Sequence, residues 1–158
     1  MHIRLAALED ERHLVALAVS FRHHLERQLP SDSQLTESIR RLLSSQEAEF
    51  IVCASDERIV GYVLQRYRHS TWASGLEATI EDLFVSPVER RHGAGKRLIE
   101  FALDRAAQLG CASVCLDTNE FNAASTKIYT DLGFSSLSTR WNGRQVFYRK
   151  SLASSPAA

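Results

Sequence analysis

The residues richest in chemistry run from Val85 to Arg97, Val-Ser-Pro-Val-Glu-Arg-Arg-His-Gly-Ala-Gly-Lys-Arg. Gly93, Ala94 and Gly95 stand where a helix is about to begin, and small residues there let backbone amides approach an anion closely. The first turn of a helix carries amides without an intrahelical acceptor. Arg90, Arg91, Lys96 and Arg97 add positive charge around them, with His92 as a weaker contact inside the loop. A phosphate or pyrophosphate is the group this combination favours. The strand leading in also carries two adjacent carboxylates, Glu81 and Asp82. In a regular strand they face opposite sides, which puts Glu81 on the same face as Val85, four residues on, whereas a β-bulge would reverse that argument.

This junction needs a strand before it and a helix after it. Ile80-Glu81-Asp82-Leu83-Phe84-Val85 reads as the strand, and Leu98, Ile99, Phe101, Ala102, Ala106 and Leu109 recur at helical spacing. Upstream, residues 2–6 read as an opening strand, followed by a helix with apolar positions at Leu14, Leu17, Ala18 and Phe21 and a second helix over 35–43. Between those helices, residues 23–25 and 28–33, with Pro30, bend the chain and can form an adaptable acceptor wall. Strands at 50–54 and 59–67, joined by a turn at 55–58, and a third at 77–85 predict an antiparallel meander. The polar connection at 70–76, which includes Trp72, is placed as a loop beside a cleft. After a helix at 94–109 the pattern predicts a strand at 113–116, a helix at 123–132, terminal strands at 134–138 and 145–148, and a loose tail at 151–158.

The spacing from Arg90 through Gly93 to Gly95 resembles the acetyl-coenzyme A loop of the GCN5-related N-acetyltransferase (GNAT) superfamily. A second stretch, Asn122-Ala123-Ala124-Ser125-Thr126-Lys127-Ile128-Tyr129-Thr130-Asp131-Leu132-Gly133-Phe134, is similar to that family's distal helix and its exit. The resemblance follows most of the chain in order and is specific between Glu77 and Phe134. It implies a mixed α/β fold, one domain over residues 1–150, with a mostly antiparallel, splayed sheet flanked by helices. The pantetheine arm of the coenzyme would enter that splay.

The implied activity is transfer of an acetyl group from acetyl-coenzyme A to a primary amine by direct attack in a ternary complex, which needs a base for the amine and a donor for the departing thiolate. Ile80 to Val85 also resembles the spermidine/spermine N-acetyltransferase branch, where the glutamate matching Glu81 acts as base through water. Tyr129 matches the acid that assists the thiolate, with packing beside Leu132 and Phe134 as its structural alternative. The resemblance assigns cofactor contacts to Val85, Arg90, Arg91, His92, Gly93, Ala94, Gly95, Lys96, Asn122 and Ser125; Asn122 can equally be an N-cap. Asp82, Glu77 and Trp72 are candidates for the acceptor, and Asp10 and Glu11 could also draw in a cationic amine. A small-molecule amine is expected, polyamine-like on the local resemblance, with aminoglycosides, amino acids and a protein N-terminus as alternatives. The residues Asn119 to Ala124 follow the general superfamily more closely than the polyamine branch. A noncatalytic acyl-coenzyme A sensor is the other reading, and the family allows a homodimer.

Composition agrees with one such domain. The 158 residues are 44% hydrophobic, and 19 Lys plus Arg balance 19 Asp plus Glu, so overall charge favours neither nucleic acid nor an anionic membrane. Cys53, Cys111 and Cys115 form neither a paired scaffold nor a ligand quartet and read as buried thiols. The histidines lack a metal-ligand spacing, and Gly-x-x-x-x-Gly-Lys-Ser/Thr is absent, so metal catalysis and ATP hydrolysis rank low. With no export-like or membrane-spanning apolar segment, a cytoplasmic location is expected.

Overall fold

The chain opens with strand β1 (His2–Leu5), followed by helices α1 (Glu11–His24) and α2 (Asp32–Leu43). Strands β2 (Ala48–Ser55), β3 (Arg58–Ser70) and β4 (Gly75–Val85) come next, then α3 (Ala94–Gln108), β5 (Val114–Leu116) and α4 (Ala123–Asp131). This computed structural model describes residues 1–56 and 58–152. Glu57 of the expected turn and residues 153–158 of the expected tail lie outside the described residues. Packing groups the chain into two compact units, Met1–Thr118 and Asn119–Ala158.

In the first unit the strands form one sheet in the order β1-β2-β3-β4-β5. The first three pairings are antiparallel, as the meander predicts, and β4 with β5 is parallel. α2 starts where Ser31 caps it: Gln34 N donates to Ser31 Oγ at 3.3 Å, and Ser31 N donates to Gln34 Oε1 at 2.8 Å. α1 continues through His23 and His24, so the bend lies beyond them.

Alternation along the strands sends side chains to two buried faces. On one, Phe50, Val52, Tyr62, Leu64 and Phe84 pack with Leu14 and Leu17 of α1 and Ile39 of α2. On the other face is α3, where Ala106 packs with Tyr67 and Ala78. Between them Gln65 is fully buried and donates to Ala102 O at 3.0 Å and to the Tyr67 hydroxyl at 2.9 Å. Tyr67 donates to Glu49 at 2.7 Å, and Arg105 of α3 holds that carboxylate through both its oxygens. Burial alone pushes the Glu49 carboxyl up, but Arg105 and Tyr67 outweigh it and hold the group below its ordinary range. At the other end of β3, a Cβ on Gly61 would stand 2.9 Å from Phe84 O, so only glycine lets β3 approach β4 there.

The second unit holds α4, capped by Asn122, whose side chain accepts from Ser125 N at 3.4 Å. The terminal strands expected at 134–138 and 145–148 are not formed. Among the described residues that region has a single antiparallel bridge, Leu137↔Arg144. Phe147 and Tyr148 are 62% and 87% exposed, so the apolar alternation is not realised as burial, and so short a ladder is marginal on its own.

Removing the acid at the centre of the β2–β3–α3 network orphans a guanidinium and a buried hydroxyl. Glu49→Ala is expected to lower unfolding free energy by about 1–3 kcal/mol, read as a lower urea midpoint at unchanged slope. An unchanged midpoint would mean the network contributes no stability.

Candidate active site

β4 pairs with β3 in step from Gly61↔Val85 to Leu64↔Asp82 and resumes at Gln65↔Ile80, leaving Glu81 as the extra residue of a β-bulge. Pairing with β5 ends at the same place, Ile80↔Leu116. From Glu81 to Val85 the outer edge of β4 therefore has no strand partner among the described residues. A bulge bends its strand and re-aims a side chain. It replaces the regular alternation that would put Glu81 and Asp82 on opposite sides: Asp82 pairs with Leu64, and Glu81 meets Arg66 at 3.3 Å, two residues along the same face of β3. Val85 pairs with Gly61 on the α3 side, so Glu81 and Val85 do not share a face.

Asp82 opens into a cavity of ≈ 200 Å³ between α1, α2 and the sheet. Burial first, and then the neighbouring charge of Glu81, push its carboxyl up to about 6, against a hydrogen bond from the Tyr62 hydroxyl that favours the ionised form. Glu81 keeps a side-chain exposure of 49% beside Arg66. The cavity wall includes Leu25, Leu29 and Pro30 from the α1–α2 connection, which puts the expected adaptable wall at this pocket.

The other acidic candidates are engaged elsewhere. Asp10 is clamped by both terminal nitrogens of Arg4, at 2.6 and 2.9 Å, and Glu11 by Arg40 at 2.7 and 3.0 Å. Glu77 pairs with Arg68 at 3.3 Å and accepts from Ser113 Oγ at 2.9 Å, nearer the β3–β4 turn than Asp82 is. Trp72 lies in that turn and is 83% exposed. Neither it nor Glu77 lines the cavity, so the three acceptor candidates are dispersed along the hairpin and only Asp82 faces the pocket. Of the cysteines, Cys53 is buried as expected, whereas Cys115 is exposed on the short β5.

After β4 the chain makes a 3-10 turn at Pro87–Glu89 and enters α3 through Gly93, which has φ +79°, in the left-handed region open to glycine. The first intrahelical bond is Arg97 N to Gly93 O at 3.1 Å, so the amides of Ala94, Gly95 and Lys96 have no acceptor within the helix. Arg91 is also left-handed, at φ +68°, and Arg91 and His92 are exposed around the turn. Arg90 instead points back: its Nε donates to Val85 O at 2.9 Å and its guanidinium lies over Phe84. Lys96 stands 3.8 Å from Glu100. Free helix amides behind a left-handed glycine, and an unpaired strand edge ending nearby in sequence, fit a diphosphate carrying an extended arm.

In the second unit, Asn122 and Ser125 form the α4 cap. Tyr129 is 8% exposed and packs edge-on to Phe134, with ring centroids 5.9 Å apart. Tyr62 and Arg66 are not singled out by the sequence, and Phe21 is read there only as an apolar position of the first helix. Tyr62 and Arg66 acquire their neighbours from the β3–β4 register, whereas Phe21 stacks on Phe84 at 4.9 Å through packing of α1 on the sheet.

The sequence profile of the Acetyltransferase (GNAT) family matches residues 12–134. The chain belongs to that family. Among curated relatives, it is 32% identical to the thialysine N-epsilon-acetyltransferase of Bos taurus over 75 residues, 48% of this chain and 44% of the bovine one. It is 35% identical to the [ribosomal protein bS18]-alanine N-acetyltransferase of Escherichia coli (strain K12) over 66 residues, 42% of this chain and 45% of that protein. The match thus spans less than half the length of these relatives. A solved aminoglycoside acetyltransferase from an uncultured soil metagenomic sample, in complex with sisomicin, superimposes with a TM-score of 0.77 at 19% identity, covering 96% of each chain. At that identity the likeness is one of fold. Among the described residues no helix is long and apolar enough to cross a membrane, and no three His, Cys, Asp or Glu side chains converge as metal ligands.

Asp82 generates a signed pH prediction. Its folded-state carboxyl lies above the ordinary 3.8, so between that pH and about 6 the folded chain holds a proton that the unfolded chain has lost. Stability therefore falls as pH rises through this window. Asp82→Asn, which keeps an acceptor for Tyr62, should remove the fall and be more stable than the parent at pH 7 by about 1–3 kcal/mol. Thermal or urea unfolding across the window checks this, and parallel pH profiles for the two proteins would contradict it.

Proposed function

We propose that this chain is an acetyl-coenzyme A-dependent N-acetyltransferase acting on a small primary amine by direct attack in a ternary complex. The observation that carries the reading is the pair of carboxylates at the β4 bulge, one facing a pocket and one facing solvent, where β4 parts from β5. Acetyl-coenzyme A supplies an acetyl thioester that is open to attack by an uncharged amine. The amides of Ala94, Gly95 and Lys96, with Arg91 and His92, hold its diphosphate, and the free β4 edge up to Val85 takes its pantetheine arm. Arg90 supports the loop from behind through Val85 O and Phe84.

An ammonium enters the pocket and meets ionised Asp82, which Tyr62 orients. Glu81, beside Arg66 and open to solvent, takes the proton through a water so that the nitrogen can attack. Tyr129 donates a proton to the departing sulfur, and Asn122 and Ser125 help seat the coenzyme; the family resemblance supports these three roles. The relatives are named for thialysine and for an alanine of a ribosomal protein. Those names leave the choice between a free amine and a protein terminus to the pocket, whose volume of ≈ 200 Å³ favours a small molecule.

Thiol release from acetyl-coenzyme A with an amine panel, and mass spectrometry of the products, tests the activity: one added acetyl mass per amine supports it, and amine-independent release rejects it. Glu81→Gln is expected to lower kcat by roughly 10²–10⁴-fold. Under chemistry-limited conditions Tyr129→Phe should slow the chemical step, and an unchanged rate would remove Tyr129 as the acid. Because Asp82 must be ionised to hold the ammonium, kcat/KM should rise with pH through about 6, and that limb should vanish in Asp82→Asn.

A further inference from the structure

The pocket beside Asp82 has an uneven chemistry. Phe21, Leu25, Leu29, Ile39 and Leu64 make its walls, and Asp82 is the one acid among its lining residues. Two arginines also line it. Arg22 is fixed by Asp32 at 2.8 Å and by Pro30 O at 2.6 Å, whereas Arg27 has no acidic partner among the described residues. At ≈ 200 Å³ the cavity is smaller than the ~300–1,000 Å³ typical of sites for drug-sized ligands.

We infer that the acceptor is a compact monoamine with an apolar alkyl or aryl body, its single ammonium on Asp82 and its body between α1, α2 and β3. This rests on the amine-acetylating reading above and narrows it. One carboxylate neutralises one ammonium. A second cationic centre on the same chain would have to leave water for an apolar wall or approach Arg27, and the lining holds no second carboxylate to offset either cost, only the Ser38 and Tyr62 hydroxyls. A hydroxyl-rich amino sugar would exceed the cavity and leave most of its hydroxyls facing Leu and Phe side chains, with Ser38, Tyr62 and the two arginines as the polar side chains besides Asp82. An alkyl or aryl body instead covers the exposed faces of Leu25 and Leu29, which are 49% and 65% exposed. The inference departs from the polyamine-like acceptor that the Ile80–Val85 resemblance implies, because that resemblance describes the carboxylate strand and not the wall opposite it.

The test compares 2-phenylethylamine and isobutylamine with spermidine, an aminoglycoside and lysine, both as acetyl acceptors and as direct ligands by calorimetry without coenzyme. The monoamines should exceed spermidine in kcat/KM by roughly tenfold or more, the ratio set by about 1.4 kcal/mol of differential binding. Their binding should weaken in Asp82→Asn. Leu29→Glu, a change at an exposed wall position, should raise turnover of spermidine relative to 2-phenylethylamine. Preferred acetylation of spermidine or the amino sugar by the parent protein would overturn this acceptor class while leaving the acetyltransferase reading intact. Asp82-dependent binding of 2-phenylethylamine with no acetylation of any amine would keep the pocket assignment and overturn the acetyl-transfer reading. Absence of both binding and turnover for the monoamines overturns the inference.

Discussion

One extra residue in β4 sets the geometry of the candidate site. Had β4 stayed in step with β3 past Asp82, strand alternation would have sent Glu81 and Asp82 to opposite faces of the sheet. The bulge instead gives Glu81 no partner on β3 and brings it to Arg66, while Asp82 stays opposite Leu64. β5 leaves β4 at the same step, after Ile80↔Leu116. The same local irregularity therefore juxtaposes two carboxylates and coincides with the start of an open backbone edge.

Such a bulge needs rigid neighbours, and the opposite face supplies them. Gln65, which pairs with Ile80 at the step in register, is tied by its side chain to α3 at Ala102 O and to Tyr67. Tyr67 and Arg105 then share Glu49, so β2, β3 and α3 are joined through buried or partly buried polar groups. At the other end of the same β3 stretch Gly61 allows the close approach to Phe84 O. The bulge is held between these two constraints.

Electrostatics in the first unit divides into spent and available charge. Asp10, Glu11, Glu49 and Glu77 are each bound to an arginine, and the first three carboxyls lie below their ordinary range, with arginine hydrogen bonds favouring the charged form. Asp82 moves the other way, because burial and the Glu81 charge outweigh the single hydrogen bond from Tyr62. A carboxyl raised by its surroundings and opening on a cavity differs in kind from one locked in an ion pair. That contrast, more than the abundance of acids on β4, singles out the pocket.

Much of the fold was legible because local rules agreed with the tertiary outcome. The meander, α3 and the α4 cap followed from alternation, helical spacing and the Asn122 position, and the helix start at Gly93 followed from small residues after a strand. The loop and the Glu81-Asp82 pair were likewise visible as residue types in order. The sequence did not decide which acids remain free: Asp10, Glu11 and Glu77 look as available as Asp82 until folding brings Arg4, Arg40, Arg68 and Ser113 to them. Nor did it place the bulge, because a one-residue shift is a property of two strands paired together and changes no residue's own propensity. The terminal strands failed for a related reason, since alternation predicts a strand only where a surface exists to bury one face. Sequence alone thus determined the order of elements and the residues offered for chemistry. Register and packing decided which side chains meet, because cross-strand neighbours are set by long-range pairing and not by position along the chain.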